Sequence, residues 1–95
     1  MASTYFMLGS YSAQAVQDIS PKRTVEANDL IARNGGSVKS VHALLGGLDL
    51  VIVAEFPGTE EAMKASLALT RTTGISFSTY PSVDVETFDR LASEV

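Results

Sequence analysis

Gly36-Ser-Val-Lys-Ser-Val-His-Ala-Leu-Leu-Gly-Gly-Leu-Asp-Leu-Val-Ile-Val-Ala-Glu-Phe56 decides the fold, because two β-rich runs flank a Gly-Gly pair. A two-residue turn at Gly46-Gly47 sets a register. Leu45 then faces Leu48, Ala43 faces Leu50, Val41 faces Ile52 and Lys39 faces Ala54, a side expected to meet helices. The opposite side pairs Leu44 with Asp49, His42 with Val51, Ser40 with Val53 and Val38 with Glu55. The strands are predicted at about 38–45 and 48–56. Slipping by one residue would exchange every side chain between the two faces.

Working outward, Thr4 to Tyr11 reads as a strand covered on both faces, since Phe6/Leu8 and Tyr5/Met7/Tyr11 are both apolar sets. Ser12 caps a short helical turn reaching Ile19. Ser20-Pro21 then starts the main helix, with serine at the N-cap and proline at the first helical position. Thr24, Ala27, Leu30 and Ile31 form its inward face, and Gly35-Gly36 ends it after Asn34. Beyond the hairpin, Pro57-Gly58 breaks the strand. Thr59, Glu60 and Glu61 begin a helix whose Met63 and Leu67 are expected in the core. Gly74 stops that helix, Ile75 to Tyr80 forms a fourth strand, and Asp84 caps a short C-terminal helix bearing Val85, Phe88 and Leu91.

The order β-α-β-β-α-β-α is the split β-α-β, or ferredoxin-like, arrangement of the α+β class: a four-stranded antiparallel sheet with strands one and three central and both long helices on one face. The 95 residues read as a single domain over 1–95. A chain this short buries only about 60–65% of its unfolded surface. Val38, Leu44, Val51 and Val53 on the helix-free face call for a second subunit, so a homodimer is expected, with higher assembly open.

Composition narrows the function classes. A net charge of −4 offers no basic footprint for nucleic acid, and the absence of cysteine removes disulfides, thiolate metal sites and thiol nucleophiles. No apolar run reaches the ~18 residues of a membrane span and no targeting signal is legible, so a cytoplasmic location and no membrane partner are expected. One histidine cannot assemble a usual transition-metal site, and no phosphate-binding glycine loop or Gly-x-Ser-x-Gly elbow is present; no metal or cofactor is expected.

The candidate site residues are accordingly few. His42, diagonal to Asp49, can be oriented as a general base, or can simply sit at a dimer seam. Asp49 alternatively stabilises the turn. Glu55 is a strand-end carboxylate expected to pair with a Lys or Arg. Arg23, one turn into the main helix, either pairs with a carboxylate or binds an anionic ligand. Tyr5, Tyr11 and Tyr80 line a cavity if their strands turn that side inward, and otherwise pack in the core.

Ser20-Pro21-Lys22-Arg23, Gly35-Gly36, Gly46-Gly47-Leu48-Asp49-Leu50-Val51 and Glu55-Phe56-Pro57, in this order and spacing, resemble the GYD family of small bacterial proteins from Thr4 to about Leu91. Leu48 stands at the tyrosine that names the family and His42 where an aromatic is usual, so no tyrosine hydroxyl role carries over to either position. The resemblance implies a ferredoxin-like fold of the dimeric α/β-barrel type and supplies no catalytic residue. The hairpin is also similar to that of the metabolite-binding domain of Lrp/AsnC-type regulators. Three functions follow as expectations: a small-molecule-binding or regulatory homodimer with a pocket between sheet and helices or at the seam; a cofactor-independent oxygenase or isomerase using His42 and Asp49; or a purely structural, oligomer-forming protein.

Overall fold

Ser12, Ser20 and Asp84 each start a helix, their side-chain oxygens accepting the backbone N–H of Ala15, Arg23 and Thr87 respectively. In the computed structural model, which describes residues 2–95, the elements are β1 (Ser3–Tyr11), α1 (Ala13–Gln17), α2 (Pro21–Arg33), β2 (Ser37–Ala43), β3 (Leu50–Phe56), α3 (Thr59–Thr73), β4 (Ile75–Ser82) and α4 (Val85–Ser93). The strands form one antiparallel sheet in the order β2-β3-β1-β4, so strands one and three are central as expected. No helix among the described residues is long and apolar enough to cross a membrane.

One side of the sheet carries the core. Tyr5 and Met7 of β1 and Ile52, Ala54 and Phe56 of β3 are buried against Ile31 of α2 and Ala62, Ala65 and Leu69 of α3. α2 ends on the glycine pair: Gly35 adopts a φ of 84° and donates to the Ala32 carbonyl at 3.0 Å, while Gly36 donates to the Ile31 carbonyl at 2.9 Å. These two bonds make a Schellman cap, and glycine enters its left-handed position without the Cβ penalty.

The hairpin departs from its expected form in two ways. From Ser40 to Ala43 the pairing is as read: Ser40 with Val53, Val41 with Ile52, His42 with Val51 and Ala43 with Leu50. A bulge at Lys39 then shifts the register, so Val38 rather than Lys39 faces Ala54. Val38 packs against the core, and the Lys39 ammonium reaches the Glu55 carboxylate at 3.2 Å. The extra residue keeps an ammonium out of the apolar layer, where desolvation would be costly, and puts a valine there instead. The strands are also shorter than predicted, and Gly46-Gly47 does not form a tight turn. Gly46 has a φ of 145°, and the loop closes with the Leu44 N–H on the Asp49 carbonyl at 2.9 Å. Asp49 is drawn toward β1, donating its own N–H to the Gly9 carbonyl at 2.9 Å.

A second correction falls on α3. Met63 and Leu67, expected in the core, are 60% and 62% exposed. The buried stripe runs Ala62, Ala65, Leu69 and Thr73 instead, and the two alanines let the helix backbone approach the sheet closely.

α4 buries none of its residues, leaving Val85, Phe88 and Leu91 exposed. Its start is sensitive to acid. Hydrogen bonds from the Thr87 side chain and backbone hold the Asp84 carboxyl below its ordinary pKa. A lowered folded-state pKa contributes stability above the unfolded value, and that contribution disappears as pH falls through the folded one. Protection of the Thr87 and Phe88 amides against hydrogen exchange should therefore fall on acidification through that window. Protection behind the non-titrating Ser20 cap of α2 should persist; equal loss at both caps would contradict this assignment.

Candidate functional site

α2 is pinned to the sheet at its C-terminal end, where Ile31 meets Phe56 and Gly36, and borders a cleft over its N-terminal half. The reason is side-chain size. Near its N-terminus the inward positions are Thr24 and Ala27, too short to fill the space above Val41, Leu50 and Ile52. A cleft of about 50 Å³ remains there, closed on its far side by Leu69 and Thr73 of α3 and by Ile75 and Phe77 of β4. β4 adds to the wall because Gly9 has no side chain: a Cβ there would lie 2.9 Å from the Phe77 ring.

Polar groups gather at the cleft mouth. The Arg23 guanidinium lies 5.2 Å from the centroid of the Tyr11 ring and donates from Nη1 to the Ala15 carbonyl of α1. Asn28 and Thr24 stand beside it on α2. The Tyr11 backbone N–H donates to Asp49 Oδ2 at 2.9 Å, so the carboxylate of the hairpin loop fastens the end of β1 that carries Tyr11. Outside Arg23 a second, polar hollow of about 360 Å³ is bordered by Asp18, Ser20, Lys22, Glu26, Thr72 and Thr73.

The structure thus brings Arg23 and Tyr11 together at the cleft, with Asp49 supporting Tyr11. The other sequence candidates lie elsewhere. Tyr5 turns inward at the opposite end of the core, its ring edge-on to Phe56 at 5.7 Å and its hydroxyl 3.3 Å from Thr59 Oγ1. Tyr80 and His42 are exposed on the helix-free face, opposite Phe6 and Val51 respectively, and Glu55 on that face holds Lys39. The Arg23 partner is a backbone carbonyl and an aromatic face; among the described residues no carboxylate lies within ion-pair distance of it.

Asn28, Thr73, Ile75 and Phe77 were not singled out from the sequence. The legible hint was the small size of Thr24 and Ala27 on an otherwise bulky inward face.

Each of the quoted motifs has a structural position here: Ser20 to Arg23 caps α2 and supplies the guanidinium, Gly35-Gly36 closes that helix, Asp49 anchors the hairpin loop to β1, and Glu55-Phe56 ends β3 with Glu55 on Lys39 and Phe56 in the core. A family model described as GYD domain matches residues 5–92. The chain belongs to the GYD domain family. No curated protein matches it. In this GYD protein the match takes in β1 from Tyr5 through α4 to Ala92, so the cleft under α2 and the apolar rows of the helix-free sheet face both lie inside the family's region.

That helix-free face is the second notable surface. Across its centre run two rows set by the register, Tyr80-Phe6-Val53-Ser40 and Ser78-Leu8-Val51-His42. Serines at positions 76, 78 and 82 border it on β4. A solvated antiparallel face ordinarily alternates to polar residues, whereas the GYD protein places Phe6, Leu8, Val51 and Val53 side by side on its two middle strands. Phe6 is 41% exposed there. The chain is also spread out for its length, with a radius of gyration of 14.2 Å. About 12 Å is usual for a globular domain of this size.

Proposed function

We propose that this GYD protein is a cytoplasmic small-molecule-binding homodimer, with its ligand in the cleft between α2 and the sheet and a second copy over the helix-free face. The observation that carries the ligand reading is the cleft itself: a mostly apolar concavity with a few convergent polar groups, beside the buried core. The valine and aromatic patch on the two central strands supports the dimer. Regulation by a bound metabolite is the natural use of such a module.

The oxygenase or isomerase reading has less behind it. Asp49 spends a carboxylate oxygen on the Tyr11 amide, and His42 is exposed on the other side of the sheet from the cleft.

The test is a panel of small metabolites followed by thermal unfolding and amide shifts. A ligand present at a hundred times its Kd stabilises by about 2.7 kcal/mol. For a domain of this length that raises Tm by roughly 10–20 °C. Shifts should map to Val41, Leu50 and Phe77. A panel with no stabiliser and no response at these amides would remove the reading.

A further inference from the structure

The cleft under α2 differs from a packing defect in its charge. Of the residues that line it, Arg23 alone is of a charged type. Its guanidinium is partly buried, and of its five N–H donors one is committed to the Ala15 carbonyl. The Tyr11 face attracts the group without occupying its donors. What remains is an oriented fork with unfilled donors at the edge of an apolar cavity, a geometry suited to the two oxygens of a carboxylate.

Size and surroundings restrict the rest of the ligand. A water needs about 10–15 Å³ of such space, so the cleft of about 50 Å³ accepts a body of a few heavy atoms. Val41, Leu50, Ile52 and Phe77 give that body no hydrogen-bonding partner from their side chains. On the outer side of Arg23, Asp18 and Glu26 border the polar hollow and disfavour an anion whose charge extends outward, such as a phosphate ester. Lys22, also there, leaves the hollow with no excess of positive charge.

We infer that the cleft binds a short aliphatic monocarboxylate, its carboxylate on Arg23 and its body of three or four carbons against Val41, Leu50, Ile52 and Phe77. This rests on the cleft being the ligand site and adds the class of ligand. Arg23 confers selectivity for the anion, and the apolar wall sets chain length.

The experiment compares isobutyrate with its neutral isosteres isobutyramide and isobutanol, by amide-shift titration of the full chain at constant ionic strength. Isobutyrate should move the Val41, Leu50 and Phe77 amides and bind at least tenfold more tightly than isobutyramide. Arg23→Gln should erase that preference, with Arg23→Lys retaining part of it. Because Arg23 also ties α1 to α2, a cleft-filling variant, Ala27→Leu, serves as the second arm. It should abolish isobutyrate binding while leaving the Arg23 contacts in place. Equal binding of isobutyrate and isobutyramide in the cleft, or a preference that survives Arg23→Gln, would overturn the carboxylate assignment and leave the cleft as a site for neutral ligands. Isobutyrate shifts confined to residues outside the cleft would overturn it too. If neither these probes nor any panel compound moves the cleft amides, the site itself falls with it.

Discussion

Gly36→Ala should destabilise the domain by about 2–3 kcal/mol, although it adds one methyl group. A Cβ at position 36 would lie 2.4 Å from Cε1 of Phe56 and 2.7 Å from Cγ2 of Ile31. Neither neighbour can give way cheaply, because both are fully buried and the Phe56 ring is also set against Tyr5. The same residue supplies the last N–H of the cap on α2, so displacing it disturbs the helix end as well as the core. At roughly 4–8 °C per kcal/mol for a domain of this size, Tm should drop by at least about 8 °C. Phe56→Leu makes room for the methyl, so the double variant should lose less than the sum of the two single losses, with a coupling of at least about 0.5 kcal/mol. Chemical denaturation of the four proteins measures this. An unchanged midpoint for Gly36→Ala, or strict additivity, would mean that the helix end and β3 are not in the contact described.

Val53→Asp should convert a dimer into a folded monomer. Val53 lies at the middle of the helix-free face, paired with Phe6 on one side and Ser40 on the other. Covering that face with a second copy would bury Phe6, Leu8, Val51 and Val53 from each chain, and full burial of an aliphatic side chain stabilises by roughly 1.5–3 kcal/mol. A carboxylate at the centre of the seam loses this and adds the cost of desolvating a charge, about 2–5 kcal/mol in all. That weakens association by a factor of about thirty to several thousand. Light scattering of the native protein at micromolar concentration should give twice the 10.1 kDa chain mass, and the variant the chain mass itself. Its far-UV circular dichroism should be unchanged because position 53 points away from the core. Ser76→Asp, at the rim on β4, should leave the mass doubled. A native monomer, or a variant that remains dimeric, removes the proposed assembly without touching the cleft.

The two halves of the proposal are physically separable in this way because the sheet divides them. The cleft opens on the helix side, through α2 and the end of β1, while the apolar rows lie on the other. Within the sheet, successive residues of β3 serve both: Leu50 and Ile52 wall the cleft, Val51 and Val53 face outward. An unbroken apolar run of this kind is what a strand covered on both faces requires.

How much of this was open to a reader of the bare chain depends on the range of the interaction concerned. Caps act over three or four residues, so Ser12, Ser20 and Asp84 announced their helices, and Gly35-Gly36 and Gly74 announced where two of them end. The element order with the chirality of the crossovers was enough for strand order, and the Gly46-Gly47 register was enough for the pairing from Ser40 to Ala43. The cleft, the bulge and the role of Asp49 were different in kind. Whether Thr24 and Ala27 fill or leave a space depends on how far α2 stands from the sheet, a distance set at its far end by Ile31, Phe56 and Gly36. Lys39 left the helix side because Val38 could replace it there, and the Asp49 carboxylate bonded to Tyr11 of β1, 38 residues away in the chain, while its backbone carbonyl closed the loop. Met63 and Leu67 fit helical spacing as well as the stripe that was buried, and only the approach of α3 along Ala62 and Ala65 chose between the two faces. Local bonds belong to the amino-acid order alone; voids, bulges and faces belong to packing, where distant residues compete for the same space.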